Sequence, residues 1–359
     1  MNVALVYDRI NKWGGAERVL MALHEMWPEA PLYTAVYDPD HARWADVFTV
    51  RATFAQYVPF AKNHHEWFPW LTPMAFESFS FDTFDVVISV TSAEAKYVIT
   101  KPHTLHICYC LTPTRYLWSG HDMYAKSSRI LKKMTPLLRK WDIVGSSRPD
   151  HYIAISEEVA RRIALYYRRD VARVIYPPVH TDIFTPGKST VKGEYFLTVS
   201  RLVGYKRVDL IIEAFNKLGW PLIIIGDGRE RRRLMQMAGK NIRFIRSVTD
   251  VELARYYQKS RAFVFAGDED FGIAAAEAQA AGIPVIAYNK GGLAEIVLPG
   301  KTGELFDEQS AEALAATLEK FSRQWYDNHS CRINAERFSK VRFMREMKDM
   351  VQELYNRSI

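Results

Sequence analysis

Two glutamates stand in an E-x7-E spacing, Glu269 and Glu277, inside the segment AFVFAGDEDFGIAAAEAQAAGIPVIA from Ala262 to Ala287. Ala262–Phe265 reads as a short buried strand. Phe271–Ala281 is Ala-rich and predicts a helix, which Gly282 and Pro284 stop. Val285–Ala287 is the next strand. A helix N-terminus offers unpaired N–H groups and a partial positive charge, suited to an anion or to sugar oxygens. Gly272 lets a ligand approach that backbone closely. Glu269 on the loop and Glu277 inside the helix are placed to hold two parts of one extended ligand. The same letters also fit a plainer role, with Asp268, Glu269 and Asp270 capping the helix, and both readings stand at this point.

The elements that must position these groups alternate strand and helix along both halves of the chain. Val3–Tyr7 is an apolar strand, and Gly14-Gly15-Ala16-Glu17-Arg18 opens a helix running to about Met26. The pattern is a strand, a glycine pair and a helix, without the G-x-G-x-x-G of a dinucleotide site. Strands come next at Pro31–Tyr37, Asp85–Val90, His106–Cys110 and Tyr152–Ile155, and Ser156 caps a helix through Tyr167. Prolines at 177, 178 and 186 with Gly187 mark a domain boundary. The cycle restarts at Tyr195–Val199, with strands at Leu222–Ile225 and Ile242–Ile245 and helices at Val208–Leu218, Arg229–Met237 and Asp250–Lys259. Strict alternation implies parallel sheets with helices on both faces, hence two Rossmann-like α/β domains. The final helix, with Phe343, Met347, Met350, Val351 and Leu354 on one face, must pack on something.

The 359 residues exceed a usual single core. No apolar run approaches a membrane span, and the N-terminus leads straight into a strand, so no signal peptide is expected. Cys108, Cys110 and Cys331 have neither the number of a disulfide framework nor the spacing of a zinc site. Reduced, buried thiols and a cytoplasmic location are expected. A net charge of +7 suits a polyanion, an anionic membrane or a phosphate-bearing substrate. The stretch 126–148 gathers Lys126, Arg129, Lys132, Lys133, Arg139, Lys140 and Arg148 against one acid, Asp142. Leu131, Met134, Leu137 and Leu138 form its apolar stripe. It reads as a membrane-surface helix on the inner face of the cytoplasmic membrane, with the solvated face of a core helix as the alternative. Residues 54–81 are irregular and rich in His64, His65, Trp67, Phe68, Trp70 and Phe76. They suit either an amphipathic surface or ordinary core. No nucleic-acid motif accompanies the basic residues.

Taken in order, SRLVGYKRVDLIIEAF, IIIGDGRE, EDFGIAAAEAQAAGIPVIA, GGLAEIV and GKTGELF resemble glycosyltransferase family 4, retaining nucleotide-sugar-dependent enzymes of the GT-B fold. Bacterial O-antigen and exopolysaccharide mannosyltransferases are similar. The resemblance implies two Rossmann-like domains facing a central cleft: an acceptor-binding domain over 1–180, a nucleotide-sugar domain over 188–335, and a C-terminal helix over 336–359 that crosses back. It assigns Arg201 and Lys206 to the donor diphosphate, which suits two cations on a strand-to-helix loop. Glu277 is assigned to the ribose hydroxyls. Glu269, with the backbone of Phe271, Gly272 and Ile273, is assigned to the transferred sugar. Gly14 and Gly15 match a glycine-rich loop near the phosphates. Ser156 matches a polar position where the family has Asn-Ser and this chain Ile155-Ser156.

The chain departs from the family at Leu111, where relatives read Y-C-H-T-P-x-R-Y and the histidine lies beside the reacting sugar. Arg115, Tyr116 and His121 are the candidate substitutes. The resemblance implies transfer of a hexose, most simply mannose from GDP-mannose, to a lipid-linked or oligosaccharide acceptor. It proceeds with retention and without metal or other cofactor, and Asp268-Glu269-Asp270 is not a metal motif in this setting. A UDP-sugar donor, and a non-catalytic donor-binding scaffold suggested by Leu111, are the alternatives. An NAD-dependent dehydrogenase is disfavoured by the missing glycine fingerprint.

Overall fold

The apolar runs form two separate parallel sheets in a computed structural model that describes residues 1–58, 70–121, 129–187 and 193–358. The chain divides into two compact units, Met1–Tyr176 with Phe343–Ile359, and Pro177–Arg342. The boundaries expected from sequence are 180, 188 and 335; the units change after Tyr176 and after Arg342.

In the first unit the strands are β1 (Val3–Tyr7), β2 (Leu32–Thr34), β3 (Val50–Ala52), β4 (Val86–Thr91), β5 (Leu105–Cys110), β6 (His151–Ala154) and β7 (Val171–Val174). They lie in the order β3-β2-β1-β4-β5-β6-β7, every neighbour parallel. The second unit has β8 (Tyr195–Val199), β9 (Leu222–Ile225), β10 (Ile242–Ile245), β11 (Ser260–Phe265), β12 (Val285–Tyr288) and β13 (Gly303–Phe306). Their order is β10-β9-β8-β11-β12-β13, again parallel. Central strands such as VALVY and VVISVT are buried along their whole length, as a sheet covered on both faces requires. In each sheet the strand order reverses once, between β1 and β4 and between β8 and β11. Open α/β sheets bind ligands beyond the strand ends at such reversals. The two Rossmann-like α/β domains expected from the alternation are therefore present.

The last helix, Lys340–Ser358, buries Phe343, Met347, Met350, Val351 and Leu354 as its periodicity predicts. Phe343 meets Tyr109 edge-on at 5.7 Å. Phe76 belongs to an aromatic core with Phe79, Phe81 and Phe84 around Tyr33, so packing claims that residue. Trp70 is partly exposed. His64, His65, Trp67 and Phe68 lie outside the described residues. All three cysteines are free and buried, and burial pushes the Cys331 thiol up to about 12. No helix among the described residues is long and apolar enough to cross a membrane.

The basic helix differs from its sequence reading. It spans Arg129–Ser146, and Leu137 faces solvent while Leu138 is buried. Lys126 and the side chain of Leu131 lie outside what is described. Asp142, read as the lone acid of a basic surface, is buried and ion-paired to Lys96 at 2.7 Å. A spacing rule cannot foresee this, because Lys96 is 46 residues away.

His106, on β5, is buried with Nε2 2.9 Å from Ser89 Oγ, and burial pushes its imidazole down to about 3. The unfolded chain therefore takes up the proton first. The stability that neutral His106 preserves is present above about pH 6.5 and is lost as pH falls toward 3. Urea midpoints are expected to fall between pH 6.5 and 4.5, and to fall less in His106→Gln. Equal slopes for the two proteins would show that another group controls the acid limb.

Candidate functional site

The reversal between β8 and β11 in the second unit brings Lys206 and Glu269 together, with Arg201 on the same loop as Lys206 and Glu277 in the helix that follows Glu269. The loop after β8 carries Arg201 and a short turn of helix, Gly204–Lys206. Arg207 comes next in the left-handed region at φ 51°, a conformation that costs a non-glycine residue about 1 kcal/mol or more. It sits at the N-cap of Val208–Leu218 and pairs with Asp209 at 3.2 Å. Arg201 Nη2 donates to the Tyr205 hydroxyl at 3.0 Å. The Lys206 ammonium lies 4.9 Å from the Tyr205 ring centre and 5.6 Å from that of Phe265.

The loop after β11 brings Glu269 to that ammonium, and Lys206 Nζ donates directly to Glu269 Oε1. Both side chains are largely buried, at 10% and 18% exposure. A cation and an anion one hydrogen bond apart can therefore contact adjacent groups of a single ligand. The helix after this loop is Ile273–Ala280, with Gly272 at its N-cap and no side-chain cap. The N-cap position is thus held by Gly272 and not by Asp268, Glu269 or Asp270. Asp268 lies 3.9 Å from Lys290 instead. Glu277 is buried inside the helix, its Oε2 3.3 Å from the Tyr257 hydroxyl, which also donates to the Ala274 carbonyl at 3.0 Å. No sequence signal marks Tyr257, which comes from the preceding helix, Asp250–Lys259.

Backbone packing locks these loops together. A Cβ on Gly267 would lie 2.9 Å from both Lys206 Cα and the Tyr205 carbonyl oxygen. Gly291, at φ 66°, brings its backbone to the Glu269 carbonyl, where a Cβ would meet the oxygen at 2.2 Å. The Gly292 N–H donates to that carbonyl at 2.8 Å. The GGLAEIV motif thus buttresses Glu269. Behind the helix, Asn334 donates to Gln279 at 2.6 Å, and Arg332 donates to the Ala280 carbonyl at 3.1 Å. Gly267→Ala is expected to push the Lys206 and Glu269 loops apart. Its folding cost should be about 1–3 kcal/mol, and its loss of nucleotide affinity about tenfold. Calorimetric titration beside a urea melt checks both.

In the first unit the corresponding reversal holds a polar cluster that the sequence did not reveal. Asp8 accepts from Thr91 Oγ1 at 2.6 Å and from the Ser92 and Ala95 N–H groups at 2.8 Å. Arg9 pairs with Glu94 at 2.5 Å, and the Tyr116 hydroxyl donates to Glu94 at 2.8 Å. Burial, offset in part by Arg9, holds the Glu94 carboxyl above its usual range. Strand-end position was the available signal, since Asp8 follows β1 and Glu94 lies just past β4. Gly14 is the extended residue before the helix Gly15–Met26, whose Glu17 accepts from the Tyr7 hydroxyl at 2.7 Å. Leu111 follows β5, its N–H donating to the Thr91 carbonyl at 2.8 Å. Of the candidate substitutes there, Arg115 is half-buried and Tyr116 is bound to Glu94. His121 lies 3.1 Å from Thr135 on the basic helix. Ser156 is buried and caps Glu157–Tyr167 by accepting from the Val159 N–H at 3.1 Å.

Residues 180–338 match the family model described as Glycosyl transferases group 1. This part of the chain belongs to that family. The group 1 glycosyltransferase domain thus coincides with the unit that carries Arg201, Lys206, Glu269 and Glu277. Among curated proteins, a D-inositol 3-phosphate glycosyltransferase of Mycobacteroides abscessus is 29% identical over 192 residues, covering 47% of this chain and 43% of that protein. A GDP-mannose-dependent alpha-(1-6)-phosphatidylinositol monomannoside mannosyltransferase of Mycolicibacterium smegmatis is 30% identical over 193 residues, covering 46% and 50%. The chain spans about half the length of the curated relatives it matches, or somewhat less. Among solved structures, Anabaena HepE in complex with UDP and glucose matches with a TM-score of 0.73 at 16% identity, covering 98% of this chain and 99% of that one. Sucrose-phosphate synthase from Thermosynechococcus elongatus matches at 0.76 and 18%, covering 99% and 100%. At such identities these structures speak for the fold.

Proposed function

We propose that the chain is a retaining glycosyltransferase that moves a hexose from a nucleotide sugar to a hydroxyl of a lipid-linked or oligosaccharide acceptor. The observation that carries this is the Lys206–Glu269 pair at the β8/β11 reversal. A nucleotide sugar presents a phosphate and a sugar hydroxyl side by side, which is what that pair can hold. Lys206 and Arg201 neutralise the departing diphosphate, the largest charge developed in the reaction. Glu269 and the backbone of Phe271, Gly272 and Ile273 hold the transferred sugar, and Glu277, oriented by Tyr257, takes the ribose hydroxyls. In the first unit we assign Gly14 and Gly15 to the donor phosphates, with Arg115 and Ser156 as lesser candidates. Attack and departure occur on the same face of the sugar, and the leaving phosphate takes the acceptor's proton. Catalysis then consists of leaving-group stabilisation and positioning, without a metal ion.

GDP-mannose is the donor we favour, supported by the mannosyltransferase relative. A UDP-sugar is the second reading, supported by HepE in complex with UDP and with UDP-glucose. Leu111 supports a third, a donor-binding scaffold without activity. Incubation with GDP-mannose or UDP-glucose labelled in the sugar, with lipid-linked acceptors, tests the proposal. Label entering the acceptor with retained configuration is expected. Donor binding without transfer or slow donor hydrolysis would favour the scaffold.

A further inference from the structure

The helix Arg129–Ser146 has a buried side and an exposed side that the sequence did not separate correctly. At about 100° per residue, Thr135, Leu138, Asp142, Gly145 and Ser146 fall on one side, and all are buried. Lys132, Lys133 and Lys140 fall on the other, and all are exposed. Among them stand Leu137 at 47% exposure, Ile143 at 40% and Val144 at 55%, with Trp141 at the edge of the face at 36%. The helix's one acid is turned inward and neutralised by Lys96. The lysines therefore face solvent with no counter-charge on their own element.

A second helix, Leu71–Glu77, lies beside it. Pro73 and Trp141 line one small recess, and Glu77 pairs with Arg148 at 2.9 Å. That ion pair uses the shorter helix's one acid. Trp70 and Met74, on and beside this helix, are 38% and 51% exposed. Isolated exposed apolar residues are ordinary. Exposed apolar side chains on two neighbouring helices, beside lysines without an ion pair among the described residues, make a different surface. Its chemistry matches an interface with phosphate outside and hydrocarbon beneath.

We propose that this face of the first unit docks on an anionic lipid bilayer. The lysines meet the headgroup charge, and Leu137, Val144, Trp141 and Met74 enter the boundary between headgroups and acyl chains. The docking is independent of donor chemistry, so it stands or falls separately from the transferase reading.

Flotation with phosphatidylcholine vesicles, with and without phosphatidylglycerol, tests it on the full chain. The wild type is expected to float with the anionic vesicles and to be released as ionic strength rises toward 1 M. Reversing Lys132, Lys133 and Lys140 to Glu should lower the partition coefficient about a hundredfold, roughly fivefold per lysine. The pair Leu137→Ser and Val144→Ser should also release it, with an unchanged thermal melt. A charge-matched control reversing Arg345, Lys348 and Arg357, on the last helix, should float like the wild type. Three results would each overturn the proposal: no flotation of the wild type, equal binding to neutral vesicles, or equal loss in the control. So would a dimer in gel filtration that the serine variants convert to monomer without changing flotation, since a second copy would then cover the face.

Discussion

Asp142→Ala is expected to destabilise the first unit by about 3–5 kcal/mol, because it leaves Lys96 buried without its counter-ion. Both side chains are 2% exposed. Asp142 accepts from Lys96 and from Thr114 Oγ1 at 2.7 Å, and from Trp118 Nε1 at 2.6 Å. Lys96 also donates to the Ala93 carbonyl and to Thr114 Oγ1, the latter at 3.1 Å. These bonds tie the segment after β4, the segment after β5 and the basic helix at one point. Burial alone would lower the Lys96 ammonium; Asp142, helped by Glu94 and Asp8, more than reverses that and holds it above its usual value. A raised lysine contributes its stability below about pH 10.5 and loses it as pH climbs past the folded value. The loss should therefore be fully present at neutral pH. Lys96→Met with Asp142→Leu should cost less than either Lys96→Ala or Asp142→Ala, because it removes both charges from the interior. Urea unfolding followed by circular dichroism measures all three. A single variant within about 1 kcal/mol of the wild type would show that water reaches the pair.

The second large effect is on chemistry. Lys206→Ala is expected to reduce transfer by about 10²–10³, the usual cost of removing one preorganised charge from a developing anion. Glu269→Ala should be at least as damaging, because it takes away the sugar contact and frees Lys206 from its partner. The double variant should be scarcely worse than the poorer single one, since the two side chains form one unit. Steady-state kinetics with a saturating acceptor reads this directly. Full activity in Glu269→Ala would remove that residue from the site.

Much of this was legible in the letters. Burial on both faces makes the central strands continuous apolar runs, so β1, β4, β5, β8, β9 and β11 could be read from composition. The short strands β3 (Val50–Ala52) and β7 (Val171–Val174) were not, because their burial is partial and their residues are mixed. Glu269 and Glu277 stood out by their spacing around a predicted helix start, whereas Arg201 and Lys206 were singled out only through the family resemblance. Tyr257 and the two glycines that buttress Glu269 depend on contacts across the sheet, which spacing does not encode. Asp142 shows the limit most clearly: helix periodicity locates its face, but only the position of Lys96 decides that the face is inward. In the same way, Asp8, Arg9 and Glu94 are ordinary polar letters until β1 and β4 are seen to be neighbours.

The central claim is that the second unit holds a nucleoside diphosphate through Lys206, Arg201 and Glu277. A thermal-shift and calorimetric panel of GDP, UDP and ADP tests it most directly, because a ligand that binds only the folded state raises the melting temperature by mass action. One nucleotide is expected to stabilise the wild type selectively, with GDP first. Lys206→Ala and Glu277→Gln should each weaken its binding at least tenfold while leaving the ligand-free melt within a few degrees. No stabilisation by any of the three, or equal binding by both variants, would contradict the claim.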